Sequence, residues 1–207
     1  MKYRKIPNET IRRLPIYLRG LLSLLEQGHD SISSGGLADF LGMNSSQIRK
    51  DVSYFGDFGT RGVGYDIRKL ARQIRKILHL EGGSKAALVG VGNLGSAILT
   101  YPGFAVYGFE MAAAFDVSDK RIGKKIKGIT IEDVSKIPSL AERGISLGII
   151  AVPRDAAQKV VDAMVKAGVK GILNFSPSHV MVPKRVKVIT IDIAMDLARL
   201  PFYIPAG

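Results

Sequence analysis

The sequence predicts an α/β chain in two parts: a small helical domain over residues 1–80 and a parallel-sheet domain over residues 81–191, with a terminal helix in residues 192–207. Three observations carry this. Up to Leu80 the pattern is polar, with apolar residues at helical spacing. After Lys85 short apolar runs alternate with helical stretches, the rhythm of strands joined by crossover helices. Between them lies Leu80-Glu81-Gly82-Gly83-Ser84-Lys85, a break in both patterns.

Composition narrows the classes. The 207 residues are 46% hydrophobic, enough for real cores. No apolar run approaches the ~20 residues of a membrane span. Met1-Lys2-Tyr3-Arg4-Lys5 is charged but leads into no apolar stretch, so no signal peptide is expected. There is no cysteine, which excludes disulfides, thiolate zinc sites and cysteine nucleophiles and fits a cytoplasmic location. The net charge of +12 suits a polyanionic partner. It does not say which part binds one: residues 1–84 hold 14 basic against 8 acidic residues, and residues 85–207 hold 16 against 10.

The first helix is expected from Ile16 to Leu25, with Pro15 in its first turn, where a missing N–H costs nothing. A second runs from about Ser34 to Leu41 and stops at Gly42. Asn44 then offers a capping oxygen, and Gln47 stands at capping-box spacing from it. The third helix, Gln47 to Phe55, puts Ile48, Val52 and Phe55 on one face and leaves Gln47, Arg49, Lys50 and Ser53 for another surface. A short helix, a turn and a helix with a basic N-terminal end make a helix–turn–helix. Gln47, Arg49 and Lys50 have the donors for base edges and phosphates, and Ser45 and Ser46 could hold a phosphate at the helix start. A helical bundle with a solvated basic face would show the same helix pair.

The next segment favours DNA. Asp57 to Tyr65 carries Gly59, Gly62 and Gly64, which permit a tight hairpin with Arg61 near its tip. A hairpin after a recognition helix is a wing, and a cationic tip suits a minor groove. A fourth helix follows from Asp66 as cap to about Leu80, its basic residues forming a solvated face.

Lys85-Ala86-Ala87-Leu88-Val89 is a strand that runs into Gly90-Val91-Gly92-Asn93-Leu94-Gly95 and then a helix. This is the dinucleotide fingerprint of a doubly wound Rossmann sheet. Gly90 permits the turn, Gly92 admits a pyrophosphate and Gly95 lets helix and strand pack closely. Met111 to Phe115 reads as the second strand. Asp116 at its end lies 21 residues after Gly95, where an acid is expected to bind the adenosine ribose and to favour NAD(H) over NADP(H). Lys120 and Arg121 follow closely and weaken that preference. Leu147 to Val152 is a strand ending at Pro153, Arg154 to Ala167 a helix, Gly171 to Asn174 a strand before the Phe175–Ser178 loop, and Val186 to Ile191 the last strand. Val152, Pro153, Asn174 and Ser176 are therefore expected to face the crevice of Gly92. After Asp192, Ile193 to Leu200 forms a helix whose Ile193, Leu197, Leu200 and Phe202 make an apolar stripe, to pack on its own domain or on a partner subunit.

Nearly the whole chain resembles the redox-sensing repressor family Rex. The resemblance is carried by Arg13-Leu14-Pro15-Ile16-Tyr17-Leu18-Arg19, Gln47-Ile48-Arg49-Lys50-Asp51, Ser53-Tyr54-Phe55-Gly56, Gly59 to Tyr65, Gly90 to Gly95, Tyr101-Pro102-Gly103-Phe104 and Gly171 to Phe175. It implies a winged-helix domain on palindromic double-stranded operators of fermentation and respiration genes. It implies a homodimer that swaps C-terminal helices; no metal and no membrane partner are expected. NADH and NAD+ would be the sensed ligands, NADH lowering operator affinity. Carried over by position, Tyr101 would lie near the nicotinamide and Asp192 near the dimer and domain junction, while Tyr54 and Gly62 join the DNA-contacting set.

Two other readings stand beside it. An NAD-dependent oxidoreductase with an N-terminal nucleic-acid-binding extension would need an acid–base group by the nicotinamide, and of His29, His79 and His179 only His179 is placed for it. A CoA-binding domain would share the sheet topology, but Asp116 favours a ribose diol.

Overall fold

The computed structural model describes residues 6–60 and 63–204. The chain divides into two compact units, Met1–Gly82 and Gly83–Gly207. No helix among the described residues is long and apolar enough to cross a membrane.

The first unit is built on α1, Asn8–Glu26. It starts eight residues before the expected Ile16, so Pro15 lies inside it rather than in its first turn. An interior proline removes a backbone bond and costs about 3 kcal/mol. Here Thr10 and Leu14 on one side of Pro15 and Tyr17, Leu18 and Leu21 on the other are all buried, and that packing outweighs the loss. α2, Ser34–Leu41, is capped by Ser33, whose hydroxyl accepts from Gly36 N, and ends at Gly42 in the left-handed region. α3, Ser45–Ser53, is capped by Asn44, whose Oδ1 accepts from Ser46 N at 2.8 Å and Gln47 N at 3.3 Å. The reciprocal half of the expected capping box does not form, because the Gln47 amide turns to Asp51 instead.

A three-stranded antiparallel sheet completes the unit: β1 (Ser31–Ile32), β3 (Gly64–Asp66) and β2 (Gly59–Thr60), in that order. β2 and β3 form the hairpin read from the sequence. Gly64 is required there, since a Cβ would meet Ile32 O at 2.4 Å. Arg61 and Gly62 lie outside the described residues. α4, Ile67–Ile77, is capped by Asp66 Oδ1 on Lys69 N and buries Ile67, Leu70, Ala71 and Ile74.

The second unit is a seven-stranded sheet in the order β10-β9-β8-β4-β5-β7-β6. Its strands are β4 (Ser84–Val89), β5 (Phe109–Asp116), β6 (Lys125–Ile126), β7 (Ile129–Asp133), β8 (Leu147–Ile150), β9 (Gly171–Asn174) and β10 (Lys187–Thr190). All pairs are parallel except β6–β7. The first strand, β4, is central and the order reverses on either side of it, so crevices open beyond the carboxyl ends at that switch. Alternation along the strands divides the core. Ala87, Val89, Ala113, Phe115 and Ile150 pack under α7 (Arg154–Lys166) and the 3-10 segment Val134–Leu140. Leu88, Ala114 and Ile149 pack with Ile98 and Leu99 of α5 (Asn93–Thr100) on the other face. The short α6 (Gly103–Val106) follows α5, and α8 (Ile193–Arg199) follows the last strand.

Candidate functional site

At the end of β4 the chain turns at Gly90, whose φ is 93°. A Cβ there would meet Ala151 O at 2.4 Å, so β4 and the strand end after β8 approach as only glycine allows. A Cβ on Gly95 would fall 1.9 Å from Gly90 O, which is the close helix–strand packing the third glycine provides. Gly92 is different: it opens α5 as its N-cap, and a Cβ would meet nothing within 4 Å. That space lies over the N-terminus of α5, where free amides and the positive dipole end suit a phosphate. Asn93 and Leu94 are exposed at the same end, and Val91 is buried beneath it.

Asp116 ends β5 and is 5% exposed. Its Oδ2 accepts from Val91 N at 2.7 Å and its Oδ1 from Ser118 N at 2.8 Å. Arg121 Nη1 stands 3.6 Å from Oδ2, in ion-pair range. The carboxylate is thus anchored beside the glycine turn. A carboxylate has about four lone-pair sites, so capacity remains for a hydroxyl.

Asn174 and Ser176 come to the same strand-end region, but both side chains turn inward. Asn174 Oδ1 accepts from Ser176 N at 2.9 Å, and its Nδ2 donates to Ser178 O at 3.0 Å. Ser176 Oγ donates to Val152 O at 2.6 Å. They tie the loop after β9 to that after β8 and shape the crevice wall. Val152 is half-buried and Pro153 exposed. Tyr101 is exposed and packs edge-on against Phe104 at 5.5 Å. Asp192 caps α8, its Oδ1 accepting from Ala194 N at 3.0 Å and Met195 N at 3.2 Å.

In the first unit α3 presents Ser46, Arg49, Lys50 and Ser53 to solvent, with Ser45, Gln47 and Tyr54 half-buried at its margins. Arg49 is braced: Nη1 donates to Ser34 Oγ at 3.0 Å and Nη2 to Ser46 Oγ at 2.9 Å. The opposite face of α3 carries Asp51, fully buried. Its Oδ1 accepts from Thr10 Oγ1 at 2.8 Å, Arg13 Nη2 at 2.9 Å and Gln47 Nε2 at 3.0 Å. Its Oδ2 accepts from Arg13 Nε and Tyr17 OH, both at 2.6 Å. Burial opposes the charge, but the hydrogen bonds from Arg13, Tyr17, Thr10 and Gln47 outweigh it and hold the carboxyl down to about 2. Burial, then the bond to Asp51, pushes the Tyr17 phenol up.

The chain matches two family models, "Putative DNA-binding protein N-terminus" over residues 5–53 and "CoA binding domain" over residues 83–178. The redox-sensing transcriptional repressor Rex of Syntrophomonas wolfei is 44% identical over 205 residues, covering 99% of this chain and 98% of that protein. The chain belongs to the Rex family of redox-sensing transcriptional repressors. Among solved structures, RSP in complex with β-NAD+ and operator DNA superposes with a TM-score of 0.90 at 35% identity, over 97% of this chain and 93% of that one. RSP in complex with β-NADH gives 0.87 at 34% identity, over 97% and 94%.

Sequence reasoning missed three residues of this Rex-family chain. Asp51 follows the basic pair Arg49-Lys50, and its charge gives no local sign of the partners that bury it. Ser34 reads from the sequence as a helix start, and its bond to Arg49 spans 15 residues. Arg13 carries no local sign of its pairing with Asp51, although the spacing of Ile48, Val52 and Phe55 puts Asp51 beside the buried face of α3.

Proposed function

We propose that this chain represses transcription as a homodimer on palindromic operator DNA and is released when NADH binds. Residues 1–80 would form the winged-helix reader, 81–191 the Rossmann NAD(H) domain and 192–207 a helix swapped at the dimer interface. The observation that carries the reading is the presence, in one chain, of a braced basic face on α3 and a glycine cradle at the switch point of a parallel sheet.

Gly90, Val91, Gly92, Asn93, Leu94 and Gly95 would hold the pyrophosphate, with Gly92 leaving room for it. Asp116 would accept from the adenosine ribose hydroxyls. Val152, Pro153, Asn174 and Ser176 would form the wall, and Tyr101, exposed and packed edge-on against Phe104, would lie by the nicotinamide. The match to a CoA-binding model fits a sheet that takes an adenine nucleotide; an anchored Asp116 at the ribose favours a free 2′,3′-diol. Bound dinucleotide supplies two charge states at one ring, which the protein must tell apart.

Ser45, Ser46, Gln47, Arg49, Lys50 and Tyr54 would contact DNA from α3, with Arg61 and Gly62 at the wing. In a dimer two such helices face half-sites about one helical turn apart, ~34–36 Å. A ligand that changes that spacing couples the two sites, and ~1–3 kcal/mol of coupling changes occupancy usefully. Two features support a swapped dimer. Ile193, Leu197, Leu200 and Phe202 are exposed on the terminal segment. The sheet face at β8, β9 and β10 leaves an apolar cavity of about 260 Å³ against Phe104 and Phe109, lined also by Leu147, Ile149, Leu173 and Ile189. Asp192, at the start of α8, would sit at that junction.

Fluorescence anisotropy of a labelled palindromic duplex, titrated with the full chain alone and with NADH or NAD+, tests this. Tight binding released by NADH is expected. Binding indifferent to NADH would refute the sensing role, and turnover of NADH would favour an oxidoreductase.

A further inference from the structure

Asp51 reaches further than anchoring α3. Gln47 precedes it by one helical turn and donates Nε2 to its Oδ1 at 3.0 Å. The two ends of an amide are often interchangeable, but not here. Asp51 is fully buried among Thr10, Arg13, Tyr17 and Gln47 and is ionised, so it only accepts. Turning the Gln47 oxygen toward it would set two acceptors together in a site of low dielectric. The NH2 must therefore face Asp51, and Oε1 is left on the other side.

Helix geometry says what lies on that side. At ~100° per residue, Ile48, Asp51, Val52 and Phe55 share one face, and all four are buried. Ser46, Lys50 and Ser53 stand opposite, exposed. Gln47 falls on the border between them, on the flank of Lys50 and Tyr54, while Arg49 is held on the other flank by Ser34 and Ser46. In the major groove only adenine N6 and cytosine N4 present a donor; guanine and thymine offer acceptors at the matching positions.

We infer that Asp51 is a positioning residue that locks the Gln47 amide with its oxygen toward the DNA, so that one position in each half-site is read as an exocyclic amino group. This rests on the DNA-binding reading of α3. The ligand class is double-stranded DNA bearing adenine or cytosine at that position.

The test is enrichment of duplexes from a library of two inverted, randomised half-sites, with the full chain as wild type, Gln47→Met and Asp51→Asn. Wild type should favour adenine or cytosine over guanine and thymine at one position per half-site by about fivefold or more. Both variants should lose that preference at that position alone and keep the others. A preference that survives Gln47→Met overturns the inference. A preference lost in Gln47→Met but kept in Asp51→Asn overturns the positioning role, and loss at every position alike leaves Asp51 a purely structural residue. Should Asp51→Asn not fold, Gln47→Glu decides: Asp51 repels its carboxylate, so the preference goes if placement matters and stays if any outward oxygen suffices. If wild type enriches no duplex, the DNA-binding reading itself fails.

Discussion

Val91 N donates to Asp116 Oδ2 at 2.7 Å, joining the glycine turn after β4 to the carboxyl end of β5. One carboxylate thereby positions the loop that would hold the pyrophosphate, and in the proposed function it would also take the ribose. The remaining glycine contacts separate two effects that a binding assay alone would merge.

Gly92→Ala should leave stability within about 0.5 kcal/mol, because its Cβ meets nothing, and should weaken NADH binding about tenfold by filling the cradle. Gly95→Ala should lower the Tm as well, because its Cβ runs into the Gly90 carbonyl. Thermal melts beside NADH titrations check this. Equal melting losses in the two variants would contradict the cradle geometry.

Arg121 faces Asp116 at 3.6 Å and partly offsets its charge, so it softens repulsion of a 2′-phosphate. Arg121→Ala should reduce NADPH affinity several-fold while leaving NADH affinity nearly unchanged. Competition titrations with both dinucleotides give the ratio. A ratio that does not move would show that Arg121 has no part in the choice.

Asp51→Ala should destabilise the first unit by about 3–5 kcal/mol, since it strands the Arg13 guanidinium and the Tyr17 hydroxyl. The native carboxyl is held at about 2, below its ordinary 3.8, so its contribution of about 2 kcal/mol is fully present above that ordinary value. It is lost as pH falls from about 4 through about 2. The groups facing it are Thr10, Arg13, Tyr17 and Gln47, and none of them becomes a better donor in acid. Denaturant midpoints followed from pH 5 to pH 2 should fall less steeply in Asp51→Asn than in wild type.

Leu197 is 64% exposed on α8. If α8 closes a dimer as proposed, Leu197→Asp should leave a folded monomer and weaken operator binding by more than tenfold. Sedimentation velocity measures the first and anisotropy the second; an unchanged dimer would remove α8 from the interface.

Much of this was legible in the residues themselves. The turn Gly90-Val91-Gly92-Asn93-Leu94-Gly95, Asp116 at a strand end, the caps Asn44 and Asp66 and the hairpin around Gly64 all declare themselves within a few residues. Caps, positive φ angles and face periodicity are local properties of a chain, so spacing reports them. β6 and β7 were not legible. Lys125–Ile126 and Ile129–Asp133 are short and mixed in polarity, and they are strands because the edge of β5 accepts β7. Nor was the passage of α1 through Pro15, which depends on what Leu14 and Tyr17 pack against.

The sequence by itself determined the two-part α/β plan, the helix–turn–helix and the phosphate-type turn. Only the tertiary structure decided that Asp51 is buried against Arg13 and Tyr17, 38 and 34 residues away, that Asn174 and Ser176 turn inward, and that Asp116 meets Val91 across 25 residues. A charged or amide side chain has the same local signature whether water or a distant partner satisfies it. Its role is settled when the fold removes water and leaves that partner in reach.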